Sequence, residues 1–122
     1  MGNSVNPLSE ETFGRRIQRC RRELGLTQRK VAAQLGIDFT YLSKLENERG
    51  ETPGEDTVRR LATILKIDEE ELLALAGKVS PELRTRAQQD AEFALFLRRL
   101  PNVSDSKMRE LYKSIQPEPP AK

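Results

Sequence analysis

Apolar residues recur along this chain at helical spacing almost from end to end, and nowhere in strict alternation. Ser9 is a candidate N-cap, with Glu10 and Glu11 suited to the positive end of the helix it opens. Phe13, Ile17, Cys20 and Leu24 follow at intervals of four, three and four, which predicts a single buried stripe. Gly25 then supplies a C′ stop. Thr27 caps a second predicted helix with Val31, Ala32 and Leu35 inward, closed by Gly36. Asp38 caps a third, from Phe39 to about Asn47, with Leu42 and Leu45 inward. Between Glu48 and Gly54 the breakers Gly50, Pro53 and Gly54 predict a loop. A fourth helix over 55–65 turns Val58, Leu61, Ala62 and Leu65 to the core. A fifth opens at Asp68, whose spacing to Glu71 resembles a capping box, and closes at Gly77.

The pattern continues beyond that point. Ser80-Pro81 reads as a cap followed by proline at the first helical position. Over 90–100, Phe93, Phe96, Leu97 and Leu100 share one face, and Pro101 breaks the run. Ser104 caps a last helix in which Met108, Leu111, Tyr112 and Ile115 repeat the stripe. The expected class is therefore all-α: a five-helix domain over 9–77 followed by a short helical extension over 78–116. Residues 1–8 read as a loose arm without Lys or Arg, and 117–122, with three prolines, as a disordered tail.

Composition narrows the chemistry. The chain has 122 residues and no histidine, which removes His-dependent acid–base catalysis, Ser-His-Asp or Cys-His nucleophiles and the usual zinc spacings. No catalytic residue, metal site or cofactor is expected, and no enzyme. The lone Cys20 makes no internal disulfide, lies on the apolar stripe and reads as a buried small hydrophobe. No apolar run approaches the roughly 20 residues of a membrane span, and no leader is visible, so a cytoplasmic location without membrane contact is expected. The start approaches a myristoylation site, but Asn6 stands where Ser or Thr is wanted. The net charge of +2 is segmented: residues 1–50 carry nine basic and six acidic side chains, 51–77 three and seven, and 78–122 nine and six. A basic first third suits a nucleic-acid face, although solvated surface explains such charge equally well.

Pattern says more than charge. Ala32 is small where the second and third helices cross, and Gly36 permits a left-handed backbone at the tight turn between them. Ile37, Leu42 and Leu45 anchor the third helix and leave Phe39, Thr40, Ser43 and Lys44 on its outer face. A helix presented this way fits the major groove, with its N-terminal residues at base edges. The strings Leu26-Thr27-Gln28, Leu35-Gly36-Ile37 after Ala32, and Tyr41-Leu42-Ser43-Lys44-Leu45-Glu46-Asn47 resemble the helix-turn-helix of the XRE family. That family comprises the phage lambda repressor and Cro-type transcriptional regulators, and the resemblance covers about residues 9–77.

The resemblance implies a role for each position. Phe39, Thr40, Ser43 and Lys44 would read bases. Thr27, Gln28, Tyr41 and Asn47 would hold phosphates, Gln28 also bracing the recognition helix. Arg21 and Glu46 match a buried architectural pair. No Arg, Gln or Asn occupies a reading position, so the bidentate partners of guanine and adenine are missing. Phe39 is expected over thymine methyls and Lys44 near a guanine. So small a reader implies a homodimer on a two-fold operator of double-stranded DNA, its recognition helices about 34–36 Å apart. The expected function is sequence-specific transcriptional regulation, most simply repression of phage, mobile-element or defence genes.

The extension must bury its stripes against something, because isolated helices this short are marginal. The face formed by Phe93, Phe96, Leu97, Leu100, Met108, Leu111, Tyr112 and Ile115 could dimerise, which we favour, or cover itself or the domain. The layout also resembles relatives whose extension meets a toxin or an inactivating metallopeptidase, which makes an antitoxin or adaptor the alternative.

Overall fold

In the computed structural model, which describes residues 11–115, the first helix α1 (Phe13–Glu23) starts one residue after Thr12. The Thr12 hydroxyl accepts from the Arg15 amide and donates to the Glu48 carboxylate, so the cap also ties α1 to a later loop. The proposed cap Ser9, with Glu10, the 1–8 arm and the 117–122 tail, lies outside the described residues. The other helices of the first unit are α2 (Gln28–Leu35), α3 (Phe39–Glu46), α4 (Glu55–Leu65) and α5 (Glu69–Leu75). After Ser80 come α6 (Pro81–Gln89), α7 (Ala91–Arg99), one 3-10 turn (Leu100–Asn102) and α8 (Asp105–Ser114). No strand occurs among the described residues, and none of their helices is long and apolar enough to cross a membrane. The all-α class is as the spacing predicts.

The core of the first unit joins Phe13 and Ile17 to Val31, Ala32, Leu35, Leu42 and Leu45, to Val58, Leu61, Ala62, Leu65 and Leu72 from α4 and α5, and to Ala76 at the C-cap of α5. Each fully buried Leu, Ile or Val contributes about 1.5–3 kcal/mol. The stripe on α1 differs from the expected one. Leu24 is exposed at the C-cap and Cys20 only half-buried, whereas Gly14, Ile17 and Arg21 face inward. The helix is rotated because it crosses α3 at Gly14 and must turn Arg21 toward Glu46. Burial pushes the Cys20 thiol up, which makes it a poor nucleophile.

Capping follows the local reading with two changes. Thr27 accepts from the Lys30 amide, and Gly36 closes α2 in the left-handed region at φ 73°. Asp38 occupies the N-cap of α3, but its side chain makes no capping bond. Asp68 accepts from the Glu71 amide, yet the Glu71 carboxylate takes Arg16 Nη1 at 2.9 Å. Half of the expected capping box is thus diverted into a tertiary ion pair. Much of the acidic surface of α4 and α5 is similarly engaged, with Arg59 between Glu55 and Glu69.

Glu11 precedes α1 and bridges Arg16 Nε and Arg19 Nε, each at 2.6 Å. The hydrogen bond from Arg19 holds its carboxyl down at about 2, with Arg16 adding to this and burial opposing it. The folded value lies below the ordinary unfolded value of about 4.3, so the pair stabilises fully above that value. Its contribution is lost as pH falls toward 2. Thermal melts of wild type and Glu11→Gln should therefore show a wild-type advantage near pH 6 that shrinks below about pH 4. An advantage independent of pH would remove this assignment.

Among the described residues of the second unit, from Ser80 onward, no side chain is completely buried. Ser80 and Pro81 open α6, Asp90 caps α7 through the Glu92 and Phe93 amides, and Ser104 caps α8. Phe93 and Phe96 stack at 6.3 Å, with the Arg86 guanidinium 4.7 Å from the Phe93 ring centre. Phe93, Leu97, Leu100, Met108 and Leu111 are half-buried; Phe96, Tyr112 and Ile115 stay exposed. Leu100 falls in the 3-10 turn beyond α7, because Pro101 follows it.

Candidate nucleic-acid interface

Three residues, Gly36, Ile37 and Asp38, separate α2 from α3. The left-handed Gly36 lets the chain reverse in that space, and Ile37 packs on the core beside it. On the far side, α1 approaches the last turn of α3 so closely that Gly14 faces the carbonyls of Leu45 and Glu46. A side chain has no room there.

One buried carboxylate joins all three helices. Glu46, at the end of α3, accepts from Arg21 Nε at 2.6 Å and Nη2 at 3.0 Å, and from Gln28 Nε2 at 2.8 Å. Arg21 Nη1 also donates to the Leu26 carbonyl at 2.9 Å. The Glu46 side chain is 1% exposed and the Arg21 side chain 10%. A bidentate fork of this kind is directional as well as strong, so it sets the angle of α3 on α1. The C-terminal end of α2 is held separately, by Arg60 Nη2 donating to the Leu35 carbonyl at 2.8 Å.

This frame presents Thr40, Tyr41 and Lys44 to solvent. Ser43 is half-buried. Asn47 is exposed at the C-cap, with its Nδ2 donating to the Ser43 carbonyl at 2.9 Å. Thr27 is exposed at the start of α2, and Gln28, half-buried, keeps its amide on Glu46. Phe39 is not the free outward side chain that the pattern suggested. It is half-buried against the core, and the Arg29 guanidinium sits 4.5 Å over its ring. The reason is position: Phe39 begins α3 where the turn brings it beside the first turn of α2.

Sequence reasoning missed Arg29 and Gly14. Nothing local in the sequence links position 29 to position 39. Gly14 carried a weak signal, being a glycine inside an otherwise helical pattern. Arg22, Thr27, Gln28, Arg29 and Phe39 are among the residues that line an open depression at the α2 N-terminus. The α2 N-terminal amides and the Arg22 guanidinium in this concavity suit phosphate oxygens.

A short α2–turn–α3 pair, locked on α1 and exposing the outer face of α3, defines a helix-turn-helix protein. A family model described as a helix-turn-helix domain matches residues 14–78, more than half of the chain. The chain belongs to the XRE family of helix-turn-helix transcriptional regulators. It is 37% identical over 67 residues to the uncharacterized HTH-type transcriptional regulator RghRB of Bacillus subtilis strain 168, covering 55% of this chain and 48% of that one. It is 31% identical over 85 residues to the HTH-type transcriptional repressor RghR of the same strain, covering 70% of this chain and 63% of that one. The chain thus spans about half to under two thirds of these curated relatives. The crystal structure of the biofilm master regulator SinR in complex with DNA aligns at TM-score 0.47 and 26% identity, covering 51% of this chain and 98% of that one.

Proposed function

We propose that this protein is a dimeric, sequence-specific repressor that binds a two-fold operator in double-stranded DNA. The observation that carries the reading is the buried Arg21–Glu46–Gln28 clamp, which orients α3 without using Thr40, Ser43 or Lys44. Thr40, Ser43 and Lys44 would meet base edges, with Thr27, Gln28, Tyr41 and Asn47 at flanking phosphates. Thr27 uses its hydroxyl oxygen as an acceptor, so its proton is available to a phosphate. Similarity to RghR, named a transcriptional repressor, supports repression over activation. The regulated genes, in this reading, are those of a phage, mobile element or defence system.

Dimerisation is assigned to the extension. Its helices bury no side chain fully and leave Phe96, Tyr112 and Ile115 exposed, and a second copy of the same face would cover them. Sedimentation of the purified chain should give a dimer at micromolar concentration, and Phe96→Asp with Tyr112→Asp a folded monomer. A wild-type monomer would instead favour the adaptor reading, in which the face meets a toxin or metallopeptidase.

Selection from a random duplex pool should return a two-fold consensus with half-sites one helical turn apart. Affinity for it should fall by about a thousandfold or more between 50 and 200 mM salt, as phosphate neutralisation requires. Failure to enrich any sequence would overturn the proposed function.

A further inference from the structure

We propose that Arg29, on α2 rather than on the recognition helix, is the guanine-reading residue of each half-site, with Phe39 as the platform that aims it. The inference rests on the DNA-binding reading above and deepens it. None of Phe39, Thr40, Ser43 and Lys44 offers two donors in a fixed fork, so α3 alone lacks the commonest specific contact to guanine. Arg29 supplies that fork a few ångströms away. Its guanidinium carbon lies 4.5 Å from the centre of the Phe39 ring.

Geometry favours reading over mere packing. A guanidinium held over an aromatic face by cation–π attraction keeps its N–H donors available to another acceptor. Among the described residues no carboxylate or carbonyl accepts from Arg29, unlike Arg16, Arg19, Arg21, Arg59 and Arg60. The side chain is exposed, and it sits where the first turns of α2 and α3 meet, beside the end of α3 that enters the groove. Contact with the ring restricts a side chain that otherwise has many rotamers, so less freedom is lost when the fork closes on guanine O6 and N7. Phe39 in turn has one flank on the core and Arg29 over its face. Its role is therefore to position Arg29.

The test is operator selection with the full-length chain, comparing wild type with Arg29→Ala, Arg29→Lys, Phe39→Ala and Phe39→Tyr, folding being checked by circular dichroism. Arg29→Ala should erase the preference for one guanine per half-site, a loss of about five- to 150-fold in discrimination there, and leave other positions intact. Arg29→Lys should recover little of it, because an ammonium lacks the fork. Phe39→Ala should flatten the same position, and Phe39→Tyr should keep it. Uniform weakening on all sequences with a salt slope reduced by about one would make Arg29 a phosphate contact and overturn the proposal. So would an unchanged consensus in Arg29→Ala. A wild-type protein that selects no sequence overturns the DNA-reading function itself, and is distinguishable because no variant is needed to see it.

Discussion

Glu46→Ala is expected to lower the unfolding free energy by about 3–5 kcal/mol, a large share of the roughly 5–15 kcal/mol available to a small domain. Removing the carboxylate deprives three donors of their acceptor at once: Arg21 Nε, Arg21 Nη2 and Gln28 Nε2. Arg21 would remain buried with the Leu26 carbonyl as its one other acceptor among the described residues, and an uncompensated buried charge is costly. The double variant Arg21→Met with Glu46→Leu should recover much of that loss, since an apolar pair of similar volume leaves no orphaned charge. Urea unfolding followed by circular dichroism measures both. A single variant within about 1 kcal/mol of wild type, or a double variant no better than the single, would show that the clamp is not what holds α3. DNA affinity of the double variant separates the two tasks of the pair. Stability restored without affinity would mean that the fork sets the angle of the recognition helix.

The second large effect is expected at Gly14. A Cβ there would lie 2.6 Å from the Leu45 carbonyl oxygen, 2.7 Å from that of Glu46 and 2.7 Å from Glu48 Cγ. The Glu48 side chain can swing away; the two carbonyls belong to the last turn of α3 and cannot move without the helix. Gly14→Ala should therefore destabilise by about 1–3 kcal/mol, even though alanine improves helix propensity by up to about 1 kcal/mol. Gly14→Val should be worse. Because relief comes by pushing α3 outward, operator affinity should fall for the fraction that remains folded. The same urea and binding measurements decide it. A stabilised Gly14→Ala would mean that α1 and α3 have room to part.

These two sites show why part of the protein could be read directly and part could not. The ends of α2, α4 and α5, and the caps Thr27, Ser80 and Ser104, depend on bonds within about four residues, so residue type and spacing reveal them. The inward positions of α2 to α4 were equally legible, because the apolar residues there leave one face only. On α1 two faces competed. The Cys20–Leu24 row was more apolar, but the row through Ile17 and Arg21 won, since Gly14 allowed close approach and Glu46 lay opposite Arg21. Arg16 is likewise nearly buried, a residue type that hydrophobic pattern assigns to solvent, because Glu11 and Glu71 meet its charge.

The amino-acid sequence by itself determined the helices of the reading motif, the tight turn at Gly36 and the residues offered along α3, since all of these follow from short-range backbone chemistry. Tertiary structure alone decided which of those residues stand free. Glu46 meets a donor 25 positions back, Arg16 meets an acceptor 55 positions ahead, and Phe39 is taken up by the core and by Arg29 from a neighbouring helix. Such partners are chosen by how helices cross, and no local pattern records a crossing angle.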